Sequence, residues 1–170
     1  MVLFFQSHTQ SKERKLYKLR KLIMPLVIVT TVALAGCANT KPTASEWSAK
    51  FIEICTKVHT DREAVIASLV SPGEMPTLEK YMTFSAEFAT LLEDATIRLK
   101  ALERPNGLDT EIDEAFAALD IVTKYVRTEA SDQASAELGM MRVIDQSLPM
   151  SPEALRLDTA MTALGMEECN

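Results

Sequence analysis

From Leu78 to Glu103 the chain runs without a glycine or proline, and Leu78, Tyr81, Phe88, Leu92, Ala95, Leu99 and Leu102 recur at spacings of three, four and seven. That pattern predicts one face of a helix about seven turns long. A seven-turn apolar stripe spans ~39 Å at 1.5 Å per residue and cannot be left in water, so neighbours of similar length must cover it. The constraint points to an all-α fold, a compact bundle of four to five antiparallel helices with short loops.

The rest of the chain supplies those neighbours. Ser45 is a candidate cap for a first helix carrying Trp47, Phe51, Ile54, Val58, Val65 and Leu69, which ends at Ser71-Pro72-Gly73. Thr77 is the candidate cap for the second, and Arg104-Pro105-Asn106-Gly107 stops it, because the residue before proline resists the helical region and Asn-Gly tolerates the left-handed one. A third helix is expected from Asp109 or Thr110, with Ile112, Phe116, Leu119 and Val126 inward. Its register then slips at Ala130, Ala134, Leu138, Met141 and Leu148, which predicts a break near Ser131-Asp132 and a separate fourth helix. Ser151-Pro152-Glu153 combines a capping hydroxyl, a first-turn proline and an acid at the positive helix end, so a fifth helix is expected from there to Gly165. Strand-like alternation is absent, and so are internal repeats.

Charge is divided unevenly along the chain. Through Gly36 six cations (Lys12, Arg14, Lys15, Lys18, Arg20, Lys21) face Glu13 alone, whereas from Cys37 onward 12 Lys and Arg face 23 Asp and Glu, a net charge of -11. A carboxylate-rich body repels a phosphate backbone and an anionic lipid surface alike, so no nucleic acid partner is expected. Any hold on a membrane must come from something other than the body's surface charge.

The leader has the order of an export signal: the basic segment to Lys21, then the apolar Leu22-Ile23-Met24-Pro25-Leu26-Val27-Ile28-Val29-Thr30-Thr31-Val32-Ala33-Leu34-Ala35, then small residues. Its last four positions, Leu34-Ala35-Gly36-Cys37, resemble the lipobox of bacterial lipoproteins: an aliphatic residue, two small ones and a cysteine. The resemblance implies cleavage between Gly36 and Cys37, a diacylglyceryl thioether on the Cys37 sulfur, and an added acyl chain such as palmitate on the new amino terminus. Two or three acyl chains, at ~0.8 kcal/mol per buried methylene, hold a soluble domain on a bilayer. The organisation expected is a signal peptide over 1–36, a lipidated cysteine with a short tether over 37–45, and a helical domain over 46–170. Ala38 in place of an aspartate implies the outer membrane in a two-membrane envelope and the cell membrane in a one-membrane envelope, at the extracytoplasmic face in both. The Lys100-Ala101-Leu102-Glu103-Arg104-Pro105 helix ending, followed by an acidic helix, also resembles small helical lipoproteins of unknown function, and that resemblance brings no site residues with it.

If Cys37 carries lipid, Cys55 and Cys169 remain in an oxidising compartment, and a disulfide between them pins the chain end to the first helix; reduced or intermolecular thiols are the alternatives. Cys55 and His59, four apart on one face, with Cys169, Glu167 or Glu168, make at most a sketch of a metal site, and no metal is expected. The seven methionines after Cys37 sit at stripe positions or turns, as core filling does, rather than in the pattern of a copper(I) carrier. The carboxylate series lie on wet helix faces, and the chain has neither a glycine-rich phosphate loop nor a serine nucleophile elbow. Neither catalytic residues nor a cofactor is expected, and an enzyme is disfavoured.

Two functions remain. The first is a lipid-anchored binding or adaptor module for a protein partner at the cell surface. The second is a carrier or sensor of a small apolar ligand held between helices, for which Tyr81, Met82, Phe84 and Phe88 are the candidate lining because they spread the apolar surface of the second helix beyond one stripe.

Overall fold

The computed structural model describes residues 41–71, 73–145 and 147–169. The segment expected to be a signal peptide, with Gly36 and Cys37, lies outside the described residues. Among the described residues there are five α-helices and no strands: α1 (Ala44–Leu69), α2 (Leu78–Lys100), α3 (Asp109–Glu129), α4 (Gln133–Ile144) and α5 (Pro152–Ala163), followed by a 3-10 turn at Glu167–Cys169. They pack on one another as a compact helical bundle.

The caps explain most of the boundaries. The α1 cap is Thr43 rather than Ser45: the Thr43 side chain accepts from the Glu46 N–H at 3.2 Å, and the Glu46 carboxylate accepts from the Thr43 N–H at 2.8 Å. This reciprocal box needs Glu or Gln three residues after the cap, which Thr43 has and Ser45, followed at that distance by Ser48, does not. The helical body therefore begins two residues earlier than its sequence boundary. Thr77 caps α2 by accepting from the Lys80 N–H at 3.3 Å, and Ser151 caps α5 by accepting from the Ala154 N–H at 3.2 Å with Pro152 in the first turn. The second helix stops at Lys100, short of Leu102, and Gly107 then takes a φ of 82° that a side chain would resist. The expected break falls between Glu129 and Gln133, where Asp132 caps α4 by accepting from the Ser135 N–H at 2.8 Å.

Helices α1, α2 and α3 run up, down and up. Lys100 pairs with Asp120 at 2.9 Å, Glu93 with Arg127 at 2.6 Å, and Tyr81 with Glu129 at 3.0 Å, so partners move in opposite directions along α2 and α3. Near the start of α1, Trp47 and Phe51 join Leu99 of α2, Ile112 and Phe116 of α3, and Met161 and Met166 at the chain end in one buried cluster. Farther along, Ala89 and Leu92 of α2 pack with Val122 and Val126 of α3, and Leu157 of α5 bridges the two groups. Burying such side chains is worth about 1.5 to 3 kcal/mol each, and this continuous core holds the helices together. The 12-residue α4 does not share that core. It packs on α2 and α3 at the end where Glu129 lies.

The Cys55–Cys169 disulfide is formed, with Cα atoms 5.4 Å apart and a sequence separation of 114. It ties the 3-10 turn after α5 onto α1, beside Val58 and Ile52 at the edge of the core.

Candidate functional site

The chemically unusual part of the bundle is a carboxylate at a core position. Glu129 stands three residues after Val126 and seven after Val122, on the buried stripe of α3, and is 1 % exposed. Its Oε2 accepts from the Tyr81 hydroxyl of α2 at 3.0 Å. The Tyr125 hydroxyl, one turn back on α3, lies beside the same carboxyl and accepts from Arg142 Nη1 of α4 at 2.7 Å. Three helices therefore meet on one buried acid.

The fourth wall is backbone. Gly139 of α4 is buried against this cluster, and a Cβ there would overlap both Glu129 Oε1 and the Tyr81 hydroxyl. A glycine inside a helix costs ~1 kcal/mol relative to alanine, so its position in α4 is explained by the close approach it allows.

Burial is the largest influence on Glu129 and raises its pKa; the nearby Tyr125 and Tyr81 hydroxyls and the Arg142 guanidinium pull the other way, and Glu153 at the start of α5 adds to the rise. The same cluster pushes Tyr125 up to about 12, chiefly through burial and then through Glu129. Tyr81 rises as well, for the same reasons. These groups remain protonated phenols at neutral pH, which suits them as hydrogen-bond donors rather than as bases.

A pH dependence follows. A carboxyl whose folded pKa lies above its unfolded value binds more protons in the folded state, so stability falls as pH rises from about 4.5 through the raised value. Glu129→Gln removes that titration. The stability difference between Glu129→Gln and the parent, read from urea midpoints between pH 4.5 and 8, is expected to move in favour of the glutamine variant as pH rises. Exposed carboxylates with lowered pKa values, such as Asp132 and Asp145, act with the opposite sign but are common to both proteins and cancel.

The surface over this cluster is inverted. Helix α4 turns small residues inward, Ala136 and Gly139, and leaves Leu138, Met141 and Ile144 outward at 43 %, 49 % and 49 % exposure. Leu148, after the end of the helix, is also exposed.

The four candidate lining residues of α2 are brought together, but as packing. Tyr81 and Phe84 are buried, with ring centroids 6.3 Å apart, and Phe84 stacks on Phe88 at 5.5 Å; Met82 and Phe88 are half-buried. A groove of about 300 Å3 lies elsewhere, between α1 and α2, lined by Lys57, Val58, Asp61, Leu91, Asp94, Ala95, Ile97 and Arg98. His59 is exposed, with Nε2 3.3 Å from the Glu63 carboxylate, and Cys55 and Cys169 are bonded to each other. Among the described residues no group of three or more His, Cys, Asp or Glu is arranged to hold a metal ion, and no helix is long and apolar enough to cross a membrane.

The sequence reading did not single out Glu129, Tyr125, Arg142 or Gly139. Two of the four carried a signal: Glu129, an acid in register with Val122 and Val126, and Gly139, a glycine in mid-helix with no capping role. Compared with protein families, curated proteins and solved structures, the chain matches none of them.

Proposed function

We propose that this chain is a lipid-anchored module of the bacterial cell envelope, held at the extracytoplasmic face through a thioether lipid on Cys37, and that it acts by binding a protein partner. The observation that carries the reading is the join between leader and body. Leu34-Ala35-Gly36-Cys37 closes a basic-then-apolar leader, and the first helix cap, Thr43, follows six residues after the cysteine. Cleavage before Cys37 would remove the whole basic leader and leave an acidic bundle on a tether of at most ~3.5 Å per residue. The Cys55–Cys169 disulfide agrees with an oxidising compartment.

Binding at the surface is favoured over a ligand held inside. In the rival reading, a carrier of a small apolar ligand, Tyr81, Met82, Phe84 and Phe88 would line a cavity, whereas these side chains pack along α2 and Tyr81 is held by Glu129. Large apolar side chains are instead turned outward on α4.

Cys37→Ser tests the anchor. The variant is expected to keep residues 1–36, because the peptidase that acts at a lipobox needs the lipidated cysteine, and to lose acyl labelling completely. A Cys37→Ser chain that is trimmed at the same place and still incorporates labelled palmitate would overturn the reading.

A further inference from the structure

We propose that the outward face of α4, formed by Leu138, Met141 and Ile144, is the docking surface for an amphipathic helix of a partner protein whose apolar face is flanked by Lys or Arg. The proposal deepens the anchored-adaptor reading and rests on it for the partner's location.

The three exposed residues recur every three positions along one helix, on an element that turns Ala136 and Gly139 fully inward and half-buries Met140 and Val143. Helix α4 is seated by Arg142 on Tyr125 and by Gly139 against Glu129 and Tyr81, so its large apolar residues are free for another molecule. Charge selects which one. From Asp132 to Asp145 the segment carries three exposed carboxylates, Asp132, Glu137 and Asp145, against the single cation Arg142, which is bonded to the Tyr125 hydroxyl. An apolar stripe with an acidic rim complements an apolar stripe with a basic rim.

The same facts oppose the other occupants. A two-fold dimer through this face would set each acidic rim against its copy. A lipid surface is met by interfacial helices whose apolar face is bordered by Lys and Arg, the reverse of the border here.

The test is photocrosslinking of the full-length protein in the bacterium that makes it, with benzoylphenylalanine at Met141 and, as a control, at the exposed Glu53 of α1. Sequencing of the adducts is expected to give, from Met141 alone, a segment with an apolar face at helical spacing and Lys or Arg on its borders. The yield should fall at least fivefold when Leu138→Ser and Ile144→Ser are added, with the thermal melt of the bundle unchanged. Adducts to a second copy of this chain, to lipid, or to a segment with an acidic or uncharged border overturn the proposal, and so does the absence of any adduct. Fractionation of the same cells separates the two readings: a basic-bordered adduct on unprocessed cytosolic protein would keep the docking surface and discard the anchor, and a processed, membrane-held protein without that adduct would do the reverse.

Discussion

Replacing Cys55 and Cys169 by serine is expected to lower the unfolding free energy by about 4 to 5 kcal/mol. The bond closes a loop of 114 residues, and the chain-entropy cost of such a closure grows with the logarithm of its length. In the folded protein the bond ties the 3-10 turn at Glu167–Cys169 to α1, and with it Met166, which is buried in the main cluster beside Trp47 and Ile112. Loss of the bond releases the chain end in the unfolded state and loosens the seat of Met166 in the folded one. For a domain of this size the melting temperature should fall by roughly 10 to 15 °C. Thermal unfolding of the parent with and without a reductant checks the same quantity without mutation. A shift below about 3 °C in both experiments would mean that the linkage contributes little.

Gly139→Ala should destabilise the protein by about 2 to 3 kcal/mol, although alanine is the better helix former by ~1 kcal/mol. The added methyl would occupy the space of Glu129 Oε1 and the Tyr81 hydroxyl. Both atoms belong to buried side chains tied to each other, so neither can swing into solvent to make room. The relief available is for α4 to lift, which would expose Glu129 and separate Arg142 from Tyr125. Urea unfolding gives the magnitude. Hydrogen exchange should report the location, with protection lost over Gln133–Ile144 and kept in α2 and α3. Increased stability in Gly139→Ala would contradict the close approach on which the cluster depends.

Much of the fold was readable from local chemistry. Thr77, Ser151 with Pro152, and the break before Asp132 were legible because each boundary is decided by one side chain and the backbone groups beside it. Ser45 was the wrong cap for the same kind of reason: a hydroxyl alone does not choose between neighbours, and the Glu46 carboxylate reaching back to Thr43 does. The pairing of Cys55 with Cys169 was expected because the lipobox resemblance sets Cys37 aside and leaves two cysteines.

The buried acid was less legible because its meaning depends on three helices at once. Glu129 in register with Val126 could equally have ended its stripe at the solvent edge; the arrival of Tyr81 from α2 and Arg142 from α4 beside Tyr125 makes the site, and Tyr81 is 48 residues away in sequence. The orientation of α4 was hidden in a similar way. Its larger apolar residues would ordinarily mark the inward face, and here Ala136 and Gly139 are the fully buried ones, because the cluster beneath leaves no room for a side chain at Gly139.

The intact mass of the protein extracted from membranes bears most directly on the account. The predicted result is a chain beginning at Cys37, heavier by two or three acyl groups and lighter by the two hydrogens lost on joining Cys55 to Cys169. A chain that still carries residues 1–36, or one that begins at Cys37 without acyl mass, would contradict it.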